Sequence, residues 1–170
     1  ANKWYIGTAA HNGGEKGLYI SDNDGTSNSY TLSTSITHVY AKRMINVEET
    51  GLYNISFDWK AKGEGNYDFL RAFAIPVEIY PDLSAGTTNG IGTTSTTHGV
   101  VPTGWIDIAN PRGKLNLADS WQNSDTTMTL NAGTYHLVFL WKNDVSGGSQ
   151  TPAAVDNVSI ERVAFVINAT

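Results

Sequence analysis

Asp58, Asp68, Asp144 and Asp156, with Asn143 and Asn157, place hard oxygens at or near the ends of predicted strands, and Asp58, Asp144, Asp156 and Asn157 are the four chosen to hold a cation. Calcium takes about six to eight such oxygens, so the chemistry expected is one structural calcium site drawing on some of these four. A structural reading competes with it. Asp156 and Asn157 would bond backbone amides where the last strand enters its sheet, and Asp58 would pair with Lys60 or Lys42 across strands. Asp22-Asn23-Asp24-Gly25 has the opening of a calcium loop, but Leu32 and Ser33 stand where the closing Glu would be, so a turn is expected there.

A second chemistry is suggested by Trp105, Trp121 and Tyr80, which with Trp4 and Tyr5 lie outside the two strongest predicted strands. Sugar-binding sandwiches use such rings as platforms, the apolar ring face stacking while polar groups orient the hydroxyls. Trp105 and Tyr80 flank a long loop, and Asp107, Asn110 or Gln122 would supply the polar partners. The opposing reading is that these rings are core, since Trp is highly buried on average.

Catalysis finds less support. A glycosidase needs two facing carboxylates, for which Asp58, Glu64, Asp68 and Glu78 are the candidates. Glu64 lies between Gly63 and Gly65, where a solvated turn is expected. The four histidines, His11, His38, His98 and His136, lack metal-ligand spacing, and no Gly-x-Ser-x-Gly elbow occurs. Gly63-Glu-Gly65 and Gly90-Ile-Gly92 precede no helix, so no phosphate cradle is expected. No catalytic residue is assigned.

The elements that must position these groups are strands. Gly51-Leu-Tyr-Asn-Ile-Ser-Phe-Asp-Trp59 and Gly133-Thr-Tyr-His-Leu-Val-Phe-Leu-Trp141 share an opening and an alternation that puts Tyr53, Ile55, Phe57 and Trp59 on one side and Tyr135, Leu137, Phe139 and Trp141 on one side. Two such strands make facing walls of one core, which predicts an all-β, two-sheet antiparallel sandwich. Further strands are expected at Trp4–Gly7, Gly17–Ser21, Ser29–Thr37, Val39–Val47, Tyr67–Ile79, Trp105–Ile108, Lys114–Leu117, Trp121–Leu130 and Ala153–Val163. Pro76 interrupts the fifth of these and is expected at an edge or bulge, because it has no ladder donor. The stretch 81–104, almost wholly Ser, Thr, Gly, Pro and Asn, predicts a long functional or mobile surface loop.

Size and composition agree. A chain of 170 residues suits one undivided domain, expected over 1–170, and its 16% charged residues fall below the roughly 25% of an average soluble domain. Polarity comes from hydroxyls and amides, which suit strands and turns. A net charge of −5 with scattered basic residues excludes a nucleic-acid partner. No run is long and apolar enough to insert in a membrane. Ala1-Asn-Lys-Trp4 carries no hydrophobic signal region, so a mature or excised module of a longer protein is expected. The absence of cysteine excludes disulfides and thiolate zinc sites.

In order along the chain, Gly17-Leu-Tyr-Ile-Ser21, Gly51-x-Tyr-x-Ile-Ser-Phe-Asp-Trp59, Tyr67-Asp-Phe-Leu-Arg71, Gly133-x-Tyr-x-Leu-Val-Phe139, Trp141-Lys-Asn-Asp144 and Ala154-Val-Asp-Asn-Val-Ser-Ile160 resemble the cleaved-adhesin and MAM-like jelly rolls. These are modules of secreted and cell-surface proteins of Bacteroidetes-type bacteria. The resemblance covers about Gly17 to Ile160 and leaves out 81–104. It implies a jelly roll used for adhesion or ligand binding, exported, joined to neighbouring domains, and holding calcium near its sheet edges. The animal branch carries disulfides that this chain lacks. The function expected is a non-catalytic adhesion or carbohydrate-binding module whose partner is a glycan or a host or cell-surface protein. A glycan-cleaving sandwich enzyme and a structural spacer are the alternatives.

Overall fold

Tyr53, Ile55, Phe57, Trp59 and Ala61 are buried while the residues between them are only half-buried, and this alternation is what makes Gly51–Ala61 a strand with one core face. In the computed structural model, which describes residues 1–32 and 36–165, it is the fourth of nine strands. The others are β1 (Lys3–Gly7), β2 (Gly17–Ser21), β3 (Thr37–Val47), β5 (Phe69–Pro76), β6 (Ile106–Asp107), β7 (Ala118–Leu130), β8 (Gly133–Asn143) and β9 (Ala154–Arg162). A 3-10 turn spans Val77–Ile79. Every pairing is antiparallel, in a five-stranded sheet of order β1-β2-β9-β4-β7 and a four-stranded sheet of order β3-β8-β5-β6. The expected two-sheet sandwich is therefore present.

The two matching segments do form facing walls. β4 lies in one sheet and β8 in the other, and Phe57 meets Phe139 edge to face with centroids 5.2 Å apart. Unlike β4, β8 is buried on both sides. Val138 and Leu140 point away from the main core into a second cluster with Phe69, Phe73, Ile75, Ile91 and Trp105. A sheet covered on both faces needs near-continuous apolar strands, which accounts for the unbroken runs of β5 and β8.

The cover is the segment expected to wander. Ile91 is fully buried, the fully buried Arg71 donates to the carbonyls of His98 at 2.6 Å and Val100 at 2.9 Å, and Tyr40 Oη donates to the Thr87 carbonyl at 2.7 Å. Residues 81–104 are thus a strap over the four-stranded sheet. Apolar residues sparse in sequence, Ile91 and Val100 among them, suffice to anchor it because the sheet beneath supplies the rest of the contact area.

Other boundaries shift. Residues 29–32 carry no strand, and 33–35 lie outside the described residues. Lys114–Leu117 reduces to one bridge between Leu70 and Leu115. Pro76 ends β5 beyond the two residues that β6 pairs, so on that side it stands at a local sheet edge, as expected.

Candidate sugar-binding face and acidic cluster

The outer face of the five-stranded sheet is built from the outward positions of β4, β7 and β9. Register sets Asn54 between Thr127 and Glu161, Ser56 between Asp125 and Ser159, and Asp58 between Asn123 and Asp156. Alternation thereby converts the polar half of three strands into one surface of amides, hydroxyls and carboxylates. Asn54 Nδ2 donates to Asp125 Oδ1 at 2.8 Å, tying β4 to β7.

Asp58 is its centre. Oδ2 accepts from Asn12 Nδ2 at 2.9 Å and Asn157 Nδ2 at 2.8 Å, and Oδ1 from Asn123 Nδ2 at 2.8 Å. Burial alone would raise this carboxyl; the three amide donors outweigh it and hold Asp58 below the usual carboxylate range. Asn157 reaches Asp58 because β9 bulges there. The register shifts between Ser56 and Asp58, and Asn157 adopts a φ of 50°, a left-handed conformation that Asn tolerates. Asp156 accepts the backbone N–H of Asn12 at 2.6 Å and of Asn157 at 2.8 Å.

Asp58, Asp156 and Asn157 were expected among the calcium ligands together with Asp144, and the structure corrects that grouping. The first three meet in a hydrogen-bond clasp that closes the 8–16 loop onto the sheet. Asp144 lies elsewhere, just past β8. There Glu64, Asp68 and Asp144 bring carboxylate oxygens within 4.8 Å of one another. Asp68 is 2% exposed; Oδ2 accepts from Tyr30 Oη at 2.7 Å and Oδ1 from the Asp144 N–H at 2.8 Å. Burial pushes its carboxyl above the usual value, against the lowering effect of those two donors. Glu64 Oε2 is buried with no hydrogen-bond partner, crowded by the backbone of Gly147. A buried, unpartnered carboxylate oxygen beside two more carboxylates is a donor set that suits a hard cation. Glu64 was expected to be solvated, and its flanking glycines concealed that the 144–149 turn folds over it. Glu64 and Asp68 are also the two members of the expected catalytic quartet that come together.

The aromatic candidates separate. Trp121 lies on the outer face, half-buried, packed with Tyr5 against Ala10, Tyr19 and Ala154, with Lys60 Nζ 5.4 Å from its ring centroid. It stands two residues before Asn123 on β7 and so on the same side of that strand. Gln122 is exposed but alternates to the opposite side and bonds Ser120, so it does not join Trp121. Trp105 is 7% exposed and packs edge to face on Phe73 with centroids 5.1 Å apart, which corrects its expected role as a platform. Asp107 is likewise withdrawn: it is 6% exposed and paired with Arg71 at 3.1 Å. Tyr80 is 88% exposed and caps the 3-10 turn. Its distance in sequence and sheet from Trp121 leaves no shared site.

No family model matches the chain, and no curated protein matches it. A solved structure of the Arthrobacter globiformis T6 isomalto-dextranase complexed with panose aligns with 94% of this chain and 23% of its own, at 17% identity and a TM-score of 0.38. The chain thus spans about a quarter of that protein, and a match of this grade assigns it no chemistry.

Proposed function

We propose that this chain is a non-catalytic carbohydrate-binding module, and that its glycan lies across the outer face of the five-stranded sheet. The observation that supports the reading is that the half-buried Trp121 ring lies on the same outer face as Asp58, Asn123 and Asn157. A sugar ring stacks on an indole through its C–H face while its hydroxyls exchange hydrogen bonds with amides and carboxylates. Polar groups pre-bonded to each other are already oriented, which reduces the entropy lost on binding. Asp58, Asp125, Asp156 and Glu161 on the face would repel a nucleic-acid backbone. The resemblance to exported adhesive jelly rolls agrees with a module working outside the cell, attached to larger surface proteins.

The test is a glycan array followed by calorimetry. Saturable binding is expected, weakened about tenfold or more by Trp121→Ala, the order of a lost stacking platform. A blank array would leave the spacer reading, and turnover of a polysaccharide lost on Glu64→Gln would make the protein an enzyme.

In the same proposal a calcium ion is held by Glu64, Asp68 and Asp144, where it would supply positive charge to a buried acidic cluster and join the start of β5 to the end of β8. Asp68 carries the pH dependence. Its raised carboxyl favours the protonated form, so its contribution to stability is present below the unfolded value and lost as pH rises through the folded one. Calcium needs the ionised form and offsets that loss. Added calcium is therefore expected to raise the melting temperature at pH 7, with the increment shrinking as pH is lowered toward the carboxylate range. An increment absent at pH 7 would refute the ion.

A further inference from the structure

At the edge where β1 stands over β3 the two sheets part, and a cleft of about 910 Å³ opens between them. Leu18 and Ile160 of the five-stranded sheet face Ile45 and Val47 of the other across it, and Leu137 and Phe139 form its floor. Ile6 and Met44 at the rim are exposed. The walls are mostly apolar side chains, Trp4, Tyr53 and Phe139 among them, and the charged and amide side chains that line the cleft, Lys42, Arg43 and Asn46, all come from β3, so the facing wall offers little to a hydroxyl or a peptide group. A polar body placed there would lose its water without replacement.

Lys42, Arg43 and Asn46 of β3 break the apolar character, and Arg43 is the one that the register turns inward. In the register of β3 on β8, Val39 opposes Trp141, Ala41 opposes Phe139, Arg43 opposes Leu137 and Ile45 opposes Tyr135. Directly opposed residues share a face, so Arg43 belongs to the inward stripe, and it lines the cleft. None of the lining residues is acidic, and among the described residues Arg43 has no carboxylate partner. Lys42 adds a second positive charge at the rim. An apolar slot with the exposed, unpaired guanidinium of Arg43 at its mouth is complementary to a ligand with a continuous apolar body and a single anionic head.

We infer that this cleft binds a single-chain alkyl carboxylate, its chain between the sheets and its carboxylate on Arg43. This site is separate from the sugar-binding face. It owes nothing to Trp121, and its failure would leave the glycan reading untouched. The apolar chain gains by leaving water and the fork of Arg43 fixes the head, so both affinity and selectivity for the anion reside in named residues.

Laurate below its micellar concentration, dodecanol and acetate are the probes, titrated calorimetrically into the whole chain. Laurate is expected to saturate one site, dodecanol to bind at least about tenfold more weakly and acetate not at all. Arg43→Met, at an exposed edge position with an unchanged melting temperature expected, should reduce laurate to the level of dodecanol. Ala41→Phe, which fills the slot, should abolish both. Absence of a laurate site would overturn the inference. So would laurate affinity unchanged in Arg43→Met, particularly if that variant aggregates, because an inward charge on an edge strand also guards against strand pairing. A concentration-dependent dimer lost in Ala41→Phe and indifferent to laurate would assign the cleft to a second copy of the chain instead.

Discussion

Arg71→Met is expected to lower stability by about 3–5 kcal/mol, the usual cost of removing one partner of a buried ion pair. Arg71 is 0% exposed, and its guanidinium serves Asp107 and the carbonyls of His98 and Val100 at once. Asp107 spends its remaining bonds on the N–H groups of Ala109 and Gly113. Burial lowers the Arg71 pKa and the Asp107 charge opposes that change, so each charge is tolerated because of the other. Without the guanidinium, a carboxylate and two carbonyls are left in the interior, and the strap over 81–104 loses its charged anchor. Urea denaturation would measure the loss, and limited proteolysis should show cleavage moving into the strap. A change under about 1 kcal/mol would mean that the pair is not what fastens it.

Trp105→Ala is expected to cost about 3–5 kcal/mol, in the range of deleting a large buried aromatic. The ring fills the space between the strap and Phe73, in the second cluster with Ile91, Val138 and Leu140. Under the proposed function, glycan affinity of the folded protein should be unchanged, because Trp105 lies over the four-stranded sheet and Trp121 on the outer face of the other. Trp121→Ala should behave in the opposite way, losing affinity with little stability. If Trp105→Ala removed binding and spared stability, the sugar site would belong at the strap.

Alternation in β4 was legible because a strand buried on one side must repeat every two residues, and β8 showed the same stripe of bulky apolar residues although both its faces are covered. The strap was not legible, because its anchors are few and its contact area comes from β5 and β8. The same blindness moved Trp105 and Asp107 from surface to interior: burial depends on what crosses over a residue, and Arg71, Asp107's partner, is 36 residues away. Asp58 and Asp156 were recognisable as strand-end carboxylates. That three asparagines from distant segments occupy Asp58 could not be read, since Asn12, Asn123 and Asn157 are brought together only by loop closure and register.

By itself, then, the sequence determined the all-β class, the two core stripes, the strand at nearly every apolar alternation and the hydroxyl-and-amide character of the surface, because these depend on local spacing and residue type. Tertiary structure decided which carboxylates are neighbours, which tryptophan meets solvent and where a cleft opens. Those follow from strand order and from a covering segment, which are properties of residues far apart in the chain.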